Sequence, residues 1–195
     1  MSTRLRKLSI LALAMLAATT LASCGDSHTK VTTGTYAGES GKNAPYLDVG
    51  PLVYEVQLSR QLNPFDTEDG PYLVGLGGEQ SKLAAGQEWF GVFLQVYNNG
   101  SQPRQASSEI TVTDTQGNTY TPILPSPVNA FAYRGGSVPG HGRVPAPDTI
   151  AANSPTQGAL LLFKIRTVSL DNRPLTLKVV DPTDAAQTAS AELDV

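Results

Sequence analysis

Among its 195 residues the chain has one cysteine, one tryptophan, two methionines and two histidines. Both methionines, Met1 and Met15, lie in the first fifteen positions, so beyond them only Cys24, His28 and His141 remain as soft or imidazole ligands. Copper, haem and zinc sites draw on Met, Cys and His, so copper chaperones and cytochromes are excluded and no cofactor is expected. A single cysteine leaves no internal disulfide to form. No run of Lys and Arg follows Lys7, and the formal charge is −3. Nucleic acids and anionic headgroups need basic patches, so neither is an expected partner. Hydrolytic machinery is missing too. There is no Gly-x-Ser-x-Gly elbow, and His141, flanked by Gly140 and Gly142, has no nucleophile marked beside it. The expectation is a protein that is not an enzyme.

What is present begins at the N-terminus. Arg4, Arg6 and Lys7 precede an apolar run from Leu8 to Leu16, which continues through small residues to Ala22. A charged start, a short apolar stretch and small residues make a secretory signal peptide. The run is too short for a membrane span of roughly 20 residues, and Ser9, Thr19 and Thr20 interrupt it. Its end, Leu21-Ala22-Ser23-Cys24, resembles the lipobox of bacterial lipoproteins. The resemblance implies a diacylglyceryl group on the Cys24 sulfur and cleavage before that residue. Removing residues 1–23 of 195 leaves 172, and takes away three basic residues and no acidic one, so −3 becomes −6. Acyl chains contribute about 0.8 kcal/mol per buried CH2, and two chains give stable anchoring. The expected location is the extracytoplasmic face of a cell membrane, held by acyl chains on Cys24.

Residues 24–48 are mostly small and polar with no apolar period, which predicts a flexible tether spanning roughly 25 Å. From residue 49 to 195 the period is two. Leu52, Tyr54, Val56 and Leu58 alternate with Val53, Glu55, Gln57 and Ser59. The same alternation recurs at Phe90–Tyr97, Ile110–Thr113, Leu175–Val180 and Ala189–Val195. This is the signature of half-buried strands. The run Gly158–Ile165 is apolar on both sides and reads as a central strand. Asn98-Asn99-Gly100 and Asp114–Asn118 read as hairpin turns, with Asn and Gly supplying positive φ. No segment longer than a turn shows a helical period. Seven or eight short strands without helices predict an all-β domain, an antiparallel immunoglobulin-like β-sandwich, with a closed barrel as the alternative. Two connections are unusual: the acidic Asn63–Gly70, and Ile123–Thr156, which holds six of the fourteen prolines.

Several segments occur in a recognisable order. They are Phe93-Leu94-Gln95-Val96-Tyr97-Asn98-Asn99-Gly100, then Ile110–Asp114 with Gly117 and Tyr120, then Pro139-Gly140, and last Gly158-Ala159-Leu160-Leu161-Leu162-Phe163. The order resembles the secreted bacterial immunoglobulin-like (telokin-like) domains carried on lipoprotein signals, a domain family of unknown function. The resemblance covers about Leu52 to Asp181. It implies the sandwich fold and a secreted or cell-surface role without an established catalytic site. The chain departs from the pattern by its Pro-rich stretch between Gly140 and Gly158.

Three groups of residues are candidates for chemistry. Phe131, Tyr133, Arg134, His141 and Arg143 gather aromatic and cationic side chains in the long connection, types enriched where proteins contact one another. Asp66, Glu68 and Asp69 are a weak candidate for Ca2+, which takes clustered oxygens, although their spacing matches no EF-hand. Trp89, Phe93 and Tyr97 form an aromatic stripe on one face of a strand, either a platform or core under another segment. The expected function is protein–protein recognition, or accessory support of an envelope complex, with another envelope protein as partner. The alternative is a small-ligand or calcium-binding module of the envelope.

Overall fold

The computed structural model describes residues 29–36 and 46–193. Cys24 and His28 lie outside the described residues, as does the whole expected signal peptide. Twelve strands are described: β1 (Thr29–Tyr36), β2 (Tyr46–Val49), β3 (Leu52–Leu62), β4 (Gln87–Tyr97), β5 (Arg104–Ala106), β6 (Ile110–Thr113), β7 (Thr119–Tyr120), β8 (Gly136–Val138), β9 (Arg143–Val144), β10 (Ala159–Arg166), β11 (Leu175–Val180) and β12 (Thr188–Leu193). One sheet runs β1-β12-β11-β6-β7; the other runs β10-β4-β3-β2, with β9 extending it along the end of β4. A two-stranded ribbon, β5-β8, forms a third small sheet, with Ala106 and Val138 buried. All pairings are antiparallel except β1 with β12. The architecture is the expected all-β sandwich.

Alternation builds the interface between the sheets. Phe90, Val92, Leu94 and Val96 of β4 meet Ile110, Val112, Leu175, Leu177, Val179, Ala189 and Ala191 of the opposite sheet in one buried cluster. Tyr54 and Tyr133 bring hydroxyls into this core and satisfy them on one residue. The Ser107 N–H donates to the Tyr54 hydroxyl at 2.7 Å, and the Tyr133 hydroxyl donates to the Ser107 carbonyl at 2.7 Å. Burial raises the pKa of both phenols, so they stay neutral.

Four expectations are corrected. The stretch 24–48, expected as a tether, contains β1 and the first three residues of β2. Leu47 and Val49 of β2 are buried, and β1 is rich in Thr, Val and Tyr, which favour extended backbone without an apolar period. Gly158–Ile165 is not central: β10 ends its sheet, and β4 and β3 are the inner strands. Both faces of β10 are nonetheless buried, because irregular chain covers the second one. Asn98–Gly100 is no hairpin turn, since β4 and β5 do not pair; the chain crosses there to the ribbon. The connection 123–156 is not structureless, because it contains β8, β9 and a helical turn at Ile150–Asn153. The hairpin at Asp114–Asn118 is as expected, with Gly117 at φ +83°.

Candidate functional site

The aromatic stripe divides into a dry end and a polar end. Trp89 and Phe93 join Leu62, Tyr72, Leu160 and Leu162 in a second buried cluster on the outer face of the β10-β4-β3-β2 sheet. Its cover comes from two stretches: the 3-10 turn at Gly70–Leu73 with Leu76 and Leu83 beyond it, and the start of the long connection with Ile123 and Phe131. Tyr72 packs edge-on against both Phe93 and Phe131, with ring centroids 4.9 Å apart in each case. Gly91 leaves the space these side chains use, for a Cβ there would come within 3.1 Å of Leu62 and Leu160.

Asn129 ties the two covering stretches together. Its Nδ2 donates to the carbonyls of Tyr72 (2.9 Å) and Val74 (2.8 Å), while its Oδ1 accepts from the N–H groups of Phe131 (2.9 Å) and Ala132 (3.0 Å). The long connection also bonds along the free edge of β10, from Ile123 N–H to Leu162 and from Tyr133 N–H to Leu160. That caps an edge that would otherwise invite pairing with another chain. Arg134 is engaged as well, donating to the carbonyls of Pro125 (3.0 Å) and Ser126 (2.7 Å). Phe131, Tyr133 and Arg134 therefore serve the cover and the core. Sequence reasoning placed them with His141 and Arg143, and the structure separates the two groups.

The acidic loop does not assemble a cation site. Asp69 is buried and turned to Arg60, whose guanidinium meets both its oxygens, and to the Asn63 N–H at 2.7 Å. Burial would raise the Asp69 pKa, but these bonds and the Arg60 charge bring it below the ordinary carboxylate value. Asp66 and Glu68 remain in solvent. Among the described residues no three of His, Cys, Asp and Glu come together as metal ligands. The Ca2+ candidates are corrected accordingly: one of the three carboxylates already has its cation.

The polar end of the stripe is where candidates meet. Tyr97 pairs with Arg143 across β4 and β9, and both line a cavity of about 290 Å3 together with Asn98, Asn99, His141, Gly142 and Pro147. The Tyr97 hydroxyl shares its one proton between two acceptor oxygens, of Glu55 (2.9 Å) and Gln95 (2.6 Å), and the Gln95 amide donates to the Gln157 carbonyl at 2.5 Å. Burial, then the Glu55 bond and charge, push Tyr97 up to about 12. Asn98 holds the cavity wall. Its Nδ2 donates to the Gln102 (2.7 Å) and Val138 (3.0 Å) carbonyls and its Oδ1 accepts from the Gly100 N–H. Sequence reasoning missed Asn98 and Asn129 as clamps, and missed Glu55 and Gln95. The last two carried a signal, since they occupy facing polar positions inside two apolar strands.

No protein-family model matches the chain, and no curated protein matches it. Solved structures similar to it include a crystal structure described as that of a "putative lipoprotein (ycdA)" from Bacillus subtilis, at 10% identity and TM-score 0.46. That match covers 80% of this chain and 39% of the other, so the chain spans well under half of that protein. The yjhA protein from Bacillus subtilis is similar at 12% identity and TM-score 0.49, covering 77% of this chain and 97% of that one. An uncharacterized β-sandwich protein from Clostridium difficile 630 is similar at 10% identity and TM-score 0.43, covering 84% of this chain and 95% of that one.

Proposed function

We propose that the protein is a lipid-anchored extracytoplasmic lipoprotein whose immunoglobulin-like sandwich is a non-enzymatic recognition module of the cell envelope. The observation that carries this reading is the cysteine ending Leu21-Ala22-Ser23-Cys24 behind a basic start and a short apolar run. A membrane-held domain meets its partner at the surface it presents, and of the candidate contact residues His141 and Arg143 stay available, at the cavity they share with Tyr97. Phe131, Tyr133 and Arg134 are spent on packing.

Two measurements on the full chain test this. Feeding cells a palmitate analogue should label the protein, and Cys24→Ser should abolish the label and move the protein from membranes to the soluble fraction. Cross-linking in intact cells should give a defined adduct with one envelope protein that a His141→Gly/Arg143→Gln variant loses while still folded. A label surviving Cys24→Ser sinks the anchor, and an adduct indifferent to the cavity variant sinks the recognition surface.

A further inference from the structure

We propose that the cavity lined by Tyr97, Asn99, His141 and Arg143 binds a carboxylate group. This rests on the recognition reading above and deepens it. Arg143 is partly buried and has no hydrogen bond or ion pair among the described residues, although strand pairing with Tyr97 holds its backbone in place. A guanidinium with no protein partner keeps its donors for a ligand, and its planar fork matches a carboxylate bidentately. The acids nearby leave it so. Glu55 accepts from the Tyr97 hydroxyl, and Asp148, next to the lining residue Pro147, is exposed and unpaired with Arg143.

Two other cavities among the described residues differ in this respect. Near Tyr133 the space is only about 130 Å3 and its cation, Arg134, already serves two carbonyls. Around Arg104 the lining includes the carboxylate of Asp181, which repels an anion.

The loop bearing His141 is already shaped. His141 sits at φ +54°, a left-handed conformation that a side chain adopts at a cost. Its N–H donates to the Gly100 carbonyl at 2.8 Å. Gly140 is pressed so closely on the Ser101 carbonyl that a Cβ there would lie 2.1 Å from the oxygen. A loop held this way loses little freedom on binding. One guanidinium beside amide and imidazole groups suits a planar monoanion. Phosphate sites characteristically add a nest of backbone N–H groups or several cations, and on a chain of net charge −3 a dianion is further disfavoured.

The test uses the full-length protein in detergent and ligand-detected NMR titration. The probes are acetate, an end-blocked Gly/Ser peptide with one central Glu, the same peptide with Gln, and inorganic phosphate. The Glu peptide should bind with a Kd of about 1 mM, the range for one charged group in an open site, and the Gln peptide at least about tenfold more weakly. Arg143→Gln should cost at least about tenfold, Arg143→Lys less, with thermal midpoints unchanged. His141→Gly, which keeps the left-handed backbone, should cost several-fold. If acetate binds and the Glu peptide does not, the carboxylate site stands and the protein-recognition reading falls. If neither carboxylate binds, if phosphate binds as tightly, or if Arg143→Gln changes nothing, the proposal is overturned. The recognition reading is then judged by the cross-linking above.

Discussion

The two faces of the β10-β4-β3-β2 sheet are buried in different ways. The inner face meets another sheet, and its contacts repeat every second residue: Phe90, Val92, Leu94 and Val96 on β4, Leu161, Phe163 and Ile165 on β10. The outer face meets irregular chain, and the residues covering it (Leu73, Leu76, Leu83, Ile123 and Phe131) follow no period. What holds that cover in place is side-chain bonding to backbone, at Asn129, Asp69 and Arg134. A regular face is held by area, which is non-directional and forgiving. An irregular one is held by a few directional bonds whose loss is local.

Breaking the inner face should have the largest effect. Phe163→Ala removes a fully buried ring from the inter-sheet core and should cost about 3–5 kcal/mol, measured by denaturant unfolding with all amides losing protection together. A loss below about 1 kcal/mol would show that this core does not govern global stability.

Next comes Asp114, which caps the β6–β7 hairpin. Its carboxylate accepts from the N–H groups of Gln116 and Asn118 (2.9 Å each), the Asn118 side chain (2.8 Å) and the Ser169 hydroxyl (2.6 Å). Burial alone would raise its pKa, but these bonds bring it from 3.8 to about 2. A depressed carboxylate stabilises the fold fully above its unfolded value, and that contribution fades as pH falls from about 4 toward 2. Asp114→Ala should cost about 2–4 kcal/mol at pH 7 and flatten the stability curve in that acid window. An unchanged acid slope in the variant would remove Asp114 from the account.

Asn129→Ala sharpens the comparison most directly. It should cost about 1–3 kcal/mol and accelerate amide exchange in 70–76 and 123–133, leaving β6, β11 and β12 protected. Uniform acceleration would mean that cover and core open as one unit. The smallest effect is expected at Arg60→Met, which keeps an aliphatic stem but strips Asp69 of its cation and Tyr72 of the guanidinium over its ring. Because Arg60 is partly exposed, about 1–2 kcal/mol is expected, confined to the turn at 63–73. A global loss would place the pair in the main core instead.

Most long strands were legible because their period is a local property: alternate side chains point to alternate faces, and water sorts them. Leu175–Val180 and Ile110–Thr113 read as strands before any partner is known. The position of β10 was not legible. A doubly apolar strand is consistent with a central place or with an edge under cover, and only the path of residues 121–134 distinguishes the two. β1 escaped notice because its Thr-rich sequence has the propensity of a strand without the pattern. The five residues singled out in the long connection share composition but not location, since composition carries no information about which side of a turn a chain takes.

By itself, then, the sequence determined an all-β domain, the absence of a soft-metal ligand set and the N-terminal motif ending in Cys24. Each follows from residue types and short-range spacing. Tertiary structure alone decided that Tyr97 meets Arg143, that Asp69 faces Arg60, and that Trp89 and Phe93 lie under chain from two separate loops. Those outcomes depend on directional bonds between distant residues, such as Asn98 to Val138 and Asn129 to Tyr72, and only the folded path brings their partners within reach.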